Sequence, residues 1–175
     1  MARFAFVAVL VSALAGAVSA APISRTGIVA RAFTELPYAQ FQISDGTAGT
    51  ADAKAASVCV TPFQGQDLAA VPAADLTALK NMREAAEDAE TSLFNPAIDA
   101  ASGAEADALQ TGKIQNKVLK LTCFKQVHQI DIAQATAAGK STTDLEAKLA
   151  DTEKKLATNI ATDKKNAGKT SKGVA

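Results

Sequence analysis

From Ser102 to Ala138 the chain has no proline, and apolar residues return every three or four positions. Ile114, Val118, Leu121, Phe124, His128 and Ile132 fall on one stripe, and Leu119, Val127 and Ile130 widen it beyond a single narrow face. A period of 3.6 over this length predicts one long helix with neighbours on two sides. Ser102 and Glu105 match the capping-box pattern at its start, Gly112 is a candidate kink, and Gly139 is its natural stop.

Two further stripes flank it. Leu76, Leu79, Met82, Ala86, Ala89 and Leu93 predict a helix that Asp75 opens after Pro72. Asn95-Pro96 interrupts it, either as a kink or as a new cap with Pro96 at the first helical position. Leu145, Leu149, Thr152, Leu156 and Ile160 predict a helix after Thr143–Glu146, a second capping-box pattern. The expected helices cover about 75–101 with a kink, 104–138 and 143–166. Composition agrees: the 175 residues include 40 Ala but only 5% aromatics and no Trp. Small, aromatic-poor side chains favour closely packed helices over a β-sandwich. The predicted fold is all-α, an antiparallel bundle of three long helices with an N-terminal segment packed across it.

That segment, Leu36 to Ile43, carries Leu36, Tyr38, Phe41 and Ile43 and is broken by Pro37. Tyr38, Phe41 and Ile43 either anchor it to the bundle or form the centre of an interface, where Tyr and large apolar groups concentrate binding energy. Ser44-Asp45-Gly46 reads as a helix-starting turn, Thr47 to Ser57 as a short Ala-rich helix, and Val58 to Gly65 as a connector.

The N-terminus bears on compartment. Met1-Ala2-Arg3 is a short positive start, Phe4 to Val18 is apolar or small, and Val18-Ser19-Ala20 places small residues at a cleavage site. This predicts a signal peptide at 1–20, since the run is too short to span a bilayer. A mobile leader at 21–35, a single helical domain at 36–168 and a disordered basic tail at 169–175 complete the expected organisation. Cys59 and Cys123 are then expected to form a disulfide in an extracellular protein. No Asn stands in an Asn-x-Ser/Thr sequence.

Charge is balanced overall, with 18 Lys+Arg and 18 Asp+Glu, so nothing basic enough for nucleic acid is present. It is unevenly spread. The 75–107 stretch is acidic and 113–175 basic, as expected of an acidic helix lying beside basic ones. Gly139-Lys140-Ser141 and Gly168-Lys169-Thr170 lack the earlier glycine of a phosphate loop, since Gln134 and Asp163 stand there. His128, the single His, has no companion for a metal site or a catalytic triad. Glu84, Glu87, Asp88 and Glu90 read as a solvated helix face. No cofactor and no enzymatic activity are expected.

Four strings carry a resemblance: Leu36-Pro-Tyr-Ala-Gln-Phe-Gln-Ile-Ser-Asp-Gly-Thr-Ala-Gly49, Ala86-Glu-Asp-Ala-Glu90, Phe94-Asn-Pro-Ala-Ile98 and Gly112-Lys-Ile-Gln-Asn-Lys-Val-Leu-Lys-Leu121. In these the chain resembles uncharacterised small secreted proteins of filamentous fungi. The resemblance implies secretion, a helical body and a place among candidate effectors, but no chemistry. The expected function is a non-enzymatic extracellular interaction protein. Its partner would be a protein or surface ligand of a host or cell wall. The alternative is a carrier of an apolar small molecule between helices.

Overall fold

A computed structural model describes residues 33–175. The expected signal peptide at 1–20 and most of the expected leader at 21–35 lie outside the described residues. The described chain is mostly helical, with one small two-stranded sheet. The elements are α1 (Tyr38–Phe41), β1 (Gly46–Thr47), α2 (Ala51–Cys59), α3 (Ala73–Asp88), α4 (Asn95–Ala100), α5 (Gly103–Ala137), α6 (Thr143–Lys165) and β2 (Thr170–Ser171). Short 3₁₀ turns at Thr61–Phe63 and Leu68–Ala70 link α2 to α3.

The long stripe becomes α5, the spine on which α2, α3 and α6 all pack. Its wide apolar surface is why: Val118, Leu119, Cys123 and Ile130 are wholly buried, on more than one face. Cross-links to α3 run in opposite chain order. Asn116 donates to the Ala86 carbonyl at 2.7 Å, Lys80 pairs with Asp131 at 3.1 Å, and Gln134 reaches the Val71 carbonyl at 2.9 Å. On the other side Lys125 pairs with Glu153 of α6 at 3.3 Å. The acidic and basic helices therefore meet, as their charges favour.

Gly139 ends α5 with φ +65°, a left-handed value that favours glycine. Its N–H donates to the Thr136 carbonyl and the Lys140 N–H to that of Ala135, closing the last turn.

The capping boxes do not form as the pattern predicts. Ser102 makes no side-chain cap bond, and the Glu105 carboxylate pairs with Lys172 at 2.6 Å. The helix α6 starts at Thr143 as expected, but Thr142 and not Thr143 stands at its cap, with its hydroxyl donating to Glu146 at 2.6 Å.

Two other expectations need correcting in the middle of the chain. Asn95 does not cap a new helix, since it keeps helical angles. The path widens into a π-turn over Ala89–Phe94 and passes into α4, with Pro96 in its first turn. Proline lacks an N–H and crowds the carbonyl four residues back, and the wider turn relieves both. Cys59 is the last residue of α2 and not part of a connector, and Thr47 to Ser57 is helical only from Ala51. Its sulfur lies at disulfide distance from that of Cys123, with Cα atoms 4.9 Å apart.

The largest departure is the C-terminal segment. Residues 169–175, expected to be a disordered tail, fold back as β2. Thr170 and Ser171 pair antiparallel with Thr47 and Gly46, so Ser44-Asp45-Gly46 leads into a strand and not into a helix. Ser171 is buried, and the Lys172 N–H donates to the Ala108 carbonyl at 3.0 Å. The expected leader is corrected at its end too: Phe33 packs its ring on Phe63 with centroids 5.0 Å apart.

Candidate interaction surface

The N-terminal segment is held by polar bonds as much as by apolar contact. The Phe33 N–H donates to Asp75 at 3.0 Å, and Glu35 accepts from Asn81 at 2.8 Å. The Tyr38 hydroxyl donates to the buried Asn116 side chain at 2.9 Å. Burial pushes the Tyr38 phenol up to about 12, with the charge of Asp45 adding to the rise. Tyr38 therefore remains a neutral donor at ordinary pH. Asn116 spends both ends of its amide, since its nitrogen holds the Ala86 carbonyl. A single polar residue of α5 thus fastens both α1 and α3.

Of the three residues singled out as anchors or interface, Phe41 and Ile43 are buried in the core. Tyr38 is half-buried, edge-on to Phe41 with centroids 5.5 Å apart. The structure brings the three together beneath the segment, on the anchoring side of the alternative. What the segment leaves open is the surface beside them. Leu36 is 38% exposed, one of two large apolar side chains in that state among the described residues. It borders a groove of about 420 Å³ with Phe33, Phe41, Val58, Pro62 and Met82, while Gln40 and Ser57 supply polar edges. Phe33, Val58, Pro62 and Met82 carried no sequence signal as a group, because they come from three separate stretches.

Several charged residues of α3 and α5 are paired. Arg83 lies with its guanidinium 5.0 Å from the Phe124 ring and is taken up by Glu84 and Glu87. Burial alone would raise the Glu90 carboxyl. The hydrogen bond and charge of Lys120, aided by Lys117 and Lys113, hold it below its ordinary range instead. Glu84, Glu87 and Glu90 are therefore partners for cations of α3 and α5, not solely a solvated face. Among the described residues no three His, Cys, Asp or Glu side chains are grouped to hold a metal ion, and no helix is long and apolar enough to cross a membrane.

Neither the curated proteins nor the solved structures contain a match to the chain. A family model described as a domain of unknown function (DUF8454) matches residues 33–175, from the anchored N-terminal segment through the helices to β2 and beyond. The chain belongs to that family.

Proposed function

We propose that this chain is a secreted, non-enzymatic interaction protein that engages an apolar element of a host or cell-wall partner through the Leu36 groove. The observation that carries the reading is the groove itself. An exposed leucine sits beside Val58, Pro62 and Met82 on a body whose other large apolar side chains are mostly covered. Contiguous exposed apolar surface with a polar rim is characteristic of interaction sites. The body in this reading is an antiparallel bundle of three long helices, supported by the opposed order of the α3–α5 links and by the short 138–142 connection between the packed α5 and α6. Export is supported by the signal-like pattern at 1–20 and by the cysteine pair at disulfide distance. The resemblance to small secreted proteins of filamentous fungi points the same way.

Leu36→Asp tests the reading. Leu36 is exposed enough that the change shifts stability by no more than about 0.5 kcal/mol, yet it puts a charge in the groove. Immobilised wild type is expected to retain a partner from wall or host extract that Leu36→Asp loses at unchanged melting temperature and that Val58→Asp, which also touches the core, loses at a temperature where it is still folded. Equal capture by all three proteins removes the groove from the proposal. Amino-terminal sequencing of the exported protein, expected to begin at Ala21 or Pro22, tests the secretion half.

A second reading is an extracellular carrier, favoured by the groove volume, since about 420 Å³ lies within the range of small-ligand pockets. A dye that brightens in apolar surroundings would bind wild type and not the two groove variants.

A further inference from the structure

His128 is the single histidine of the sequence, and only 4% of its surface is exposed. Its ring lies against Phe124, one turn earlier on α5, with centroids 4.2 Å apart. Neither ring nitrogen has a hydrogen-bond partner. A neutral imidazole tolerates such a place, but a charged one does so only with a partner. The charges that act on it come from three helices: Lys80 and Arg83 of α3, Asp131 of α5 and Lys148 of α6. The one carboxylate among them, Asp131, already pairs with Lys80. An imidazolium would meet three cations and no uncommitted acceptor. Burial, reinforced by Lys148, Lys80 and Arg83 and opposed by Asp131, holds its pKa below the ordinary 6.5.

The cover over this ring is uneven. On the α3 side the Lys80–Asp131 pair bridges the helices and Arg83 lies over the neighbouring Phe124 ring. On the α6 side the antiparallel register that pairs Lys125 with Glu153 brings the first half of that helix alongside His128. Residues 143–151 include no buried side chain, and the first one in α6 is Thr152. The disulfide joins α5 to α2 and leaves α6 without a cross-link.

We propose that His128 is an acid-sensitive latch, whose protonation releases the first half of α6, residues 143–152, from α5 and bares the face of α5 that carries His128. The closed hairpin binds the proton more weakly than the open one, so it is fully favoured above 6.5 and loses ground as pH falls below that value. Such an opening uncovers apolar surface on the α5 face, away from the Leu36 groove, and does not rest on the function proposed above.

Because the chain has one histidine, its ring proton can be followed by NMR in the unaltered protein. Amide exchange at 143–152, corrected for its intrinsic pH dependence, is measured alongside from about pH 7.5 to about pH 5. The ring is expected to titrate below 6.5 in the folded protein. Opening at 143–152 is expected to rise through that titration, by about tenfold for each unit separating the closed and open pKa values. In His128→Phe, which keeps an aromatic contact and cannot take a proton, the rise should vanish. His128→Gln serves the same purpose with a smaller neutral group if Phe overfills the site. A ring that titrates at 6.5 or above, exchange at 143–152 that is flat through its titration, or an undiminished response in the folded variants would each overturn the latch.

Discussion

Asp163 serves a helix other than its own, and no local pattern announces it. It sits two residues from the end of α6, 1% exposed, and its carboxylate accepts from the Gly49 N–H at 3.1 Å and the Ala51 N–H at 2.9 Å. Those amides belong to the start of α2, whose own cap residue, Thr50, makes no side-chain bond. A carboxylate there satisfies free N–H groups and complements the helix dipole. Asp163→Ala strands both donors and is expected to cost about 2–4 kcal/mol in urea unfolding, with Asp163→Asn intermediate; a loss under about 0.5 kcal/mol would contradict the assignment. Gly112 is equally specific. A Cβ there would meet the Lys172 carbonyl oxygen at 2.0 Å, so the candidate kink is instead the berth of the C-terminal segment. Gly112→Ala is expected to displace that segment at a cost of about 1–3 kcal/mol, seen as a lower melting temperature and faster amide exchange at 170–172. The glycine was visible in the sequence, but its reason was not, because the neighbour it admits lies 60 positions along the chain in a stretch with no apolar period.

The long helices were legible because their stripes are local and repeated. The starts and extents of α3, α5 and α6 follow from spacing, and Gly139 stops α5 as its residue type predicts. Their caps were less legible, since a side chain spaced to cap locally can pair with a distant one, as Glu105 does with Lys172. β2 was illegible for the same reason: two residues cannot show a strand period, and their pairing is with Gly46 and Thr47. The cysteine pair gives the short α2 its tie to the spine across a sequence separation of 64. Closing a loop of that length stabilises by about 4 kcal/mol in the chain-entropy model. Replacing Cys59 and Cys123 together by Ala is expected to lower the urea midpoint accordingly, and a double variant as stable as wild type would show that packing alone holds α2.

The candidate surface was the least legible feature, because it belongs to no element. Phe33 and Leu36, Val58, Pro62 and Met82 meet only once the N-terminal segment has crossed α2 and α3. The anchors beneath it could be named from the sequence, since Tyr38 and Phe41 stand out in an aromatic-poor chain, whereas the side chains left open beside them could not. The same assembly of distant groups sets how the molecule answers to acid. Glu90 is 15% exposed, paired with Lys120 at 2.6 Å and Lys117 at 3.6 Å, and these cations outweigh the burial that would raise its carboxyl. Its pKa is lower in the folded protein than the ordinary 4.5, so the folded state holds fewer protons there than the unfolded chain. The stability it contributes is complete above 4.5 and is lost as pH falls through the lowered folded value. His128 acts in an earlier window, beginning below 6.5. Acid unfolding of the wild type should therefore proceed in two declines, the first confined to the α5–α6 side and the second spreading across the α3–α5 contact. Glu90→Gln is expected to be less stable than wild type at neutral pH and to lose the second decline while keeping the first. Chemical unfolding measured across both windows checks this, and a variant curve parallel to that of the wild type below pH 4.5 would assign the second decline to other carboxylates.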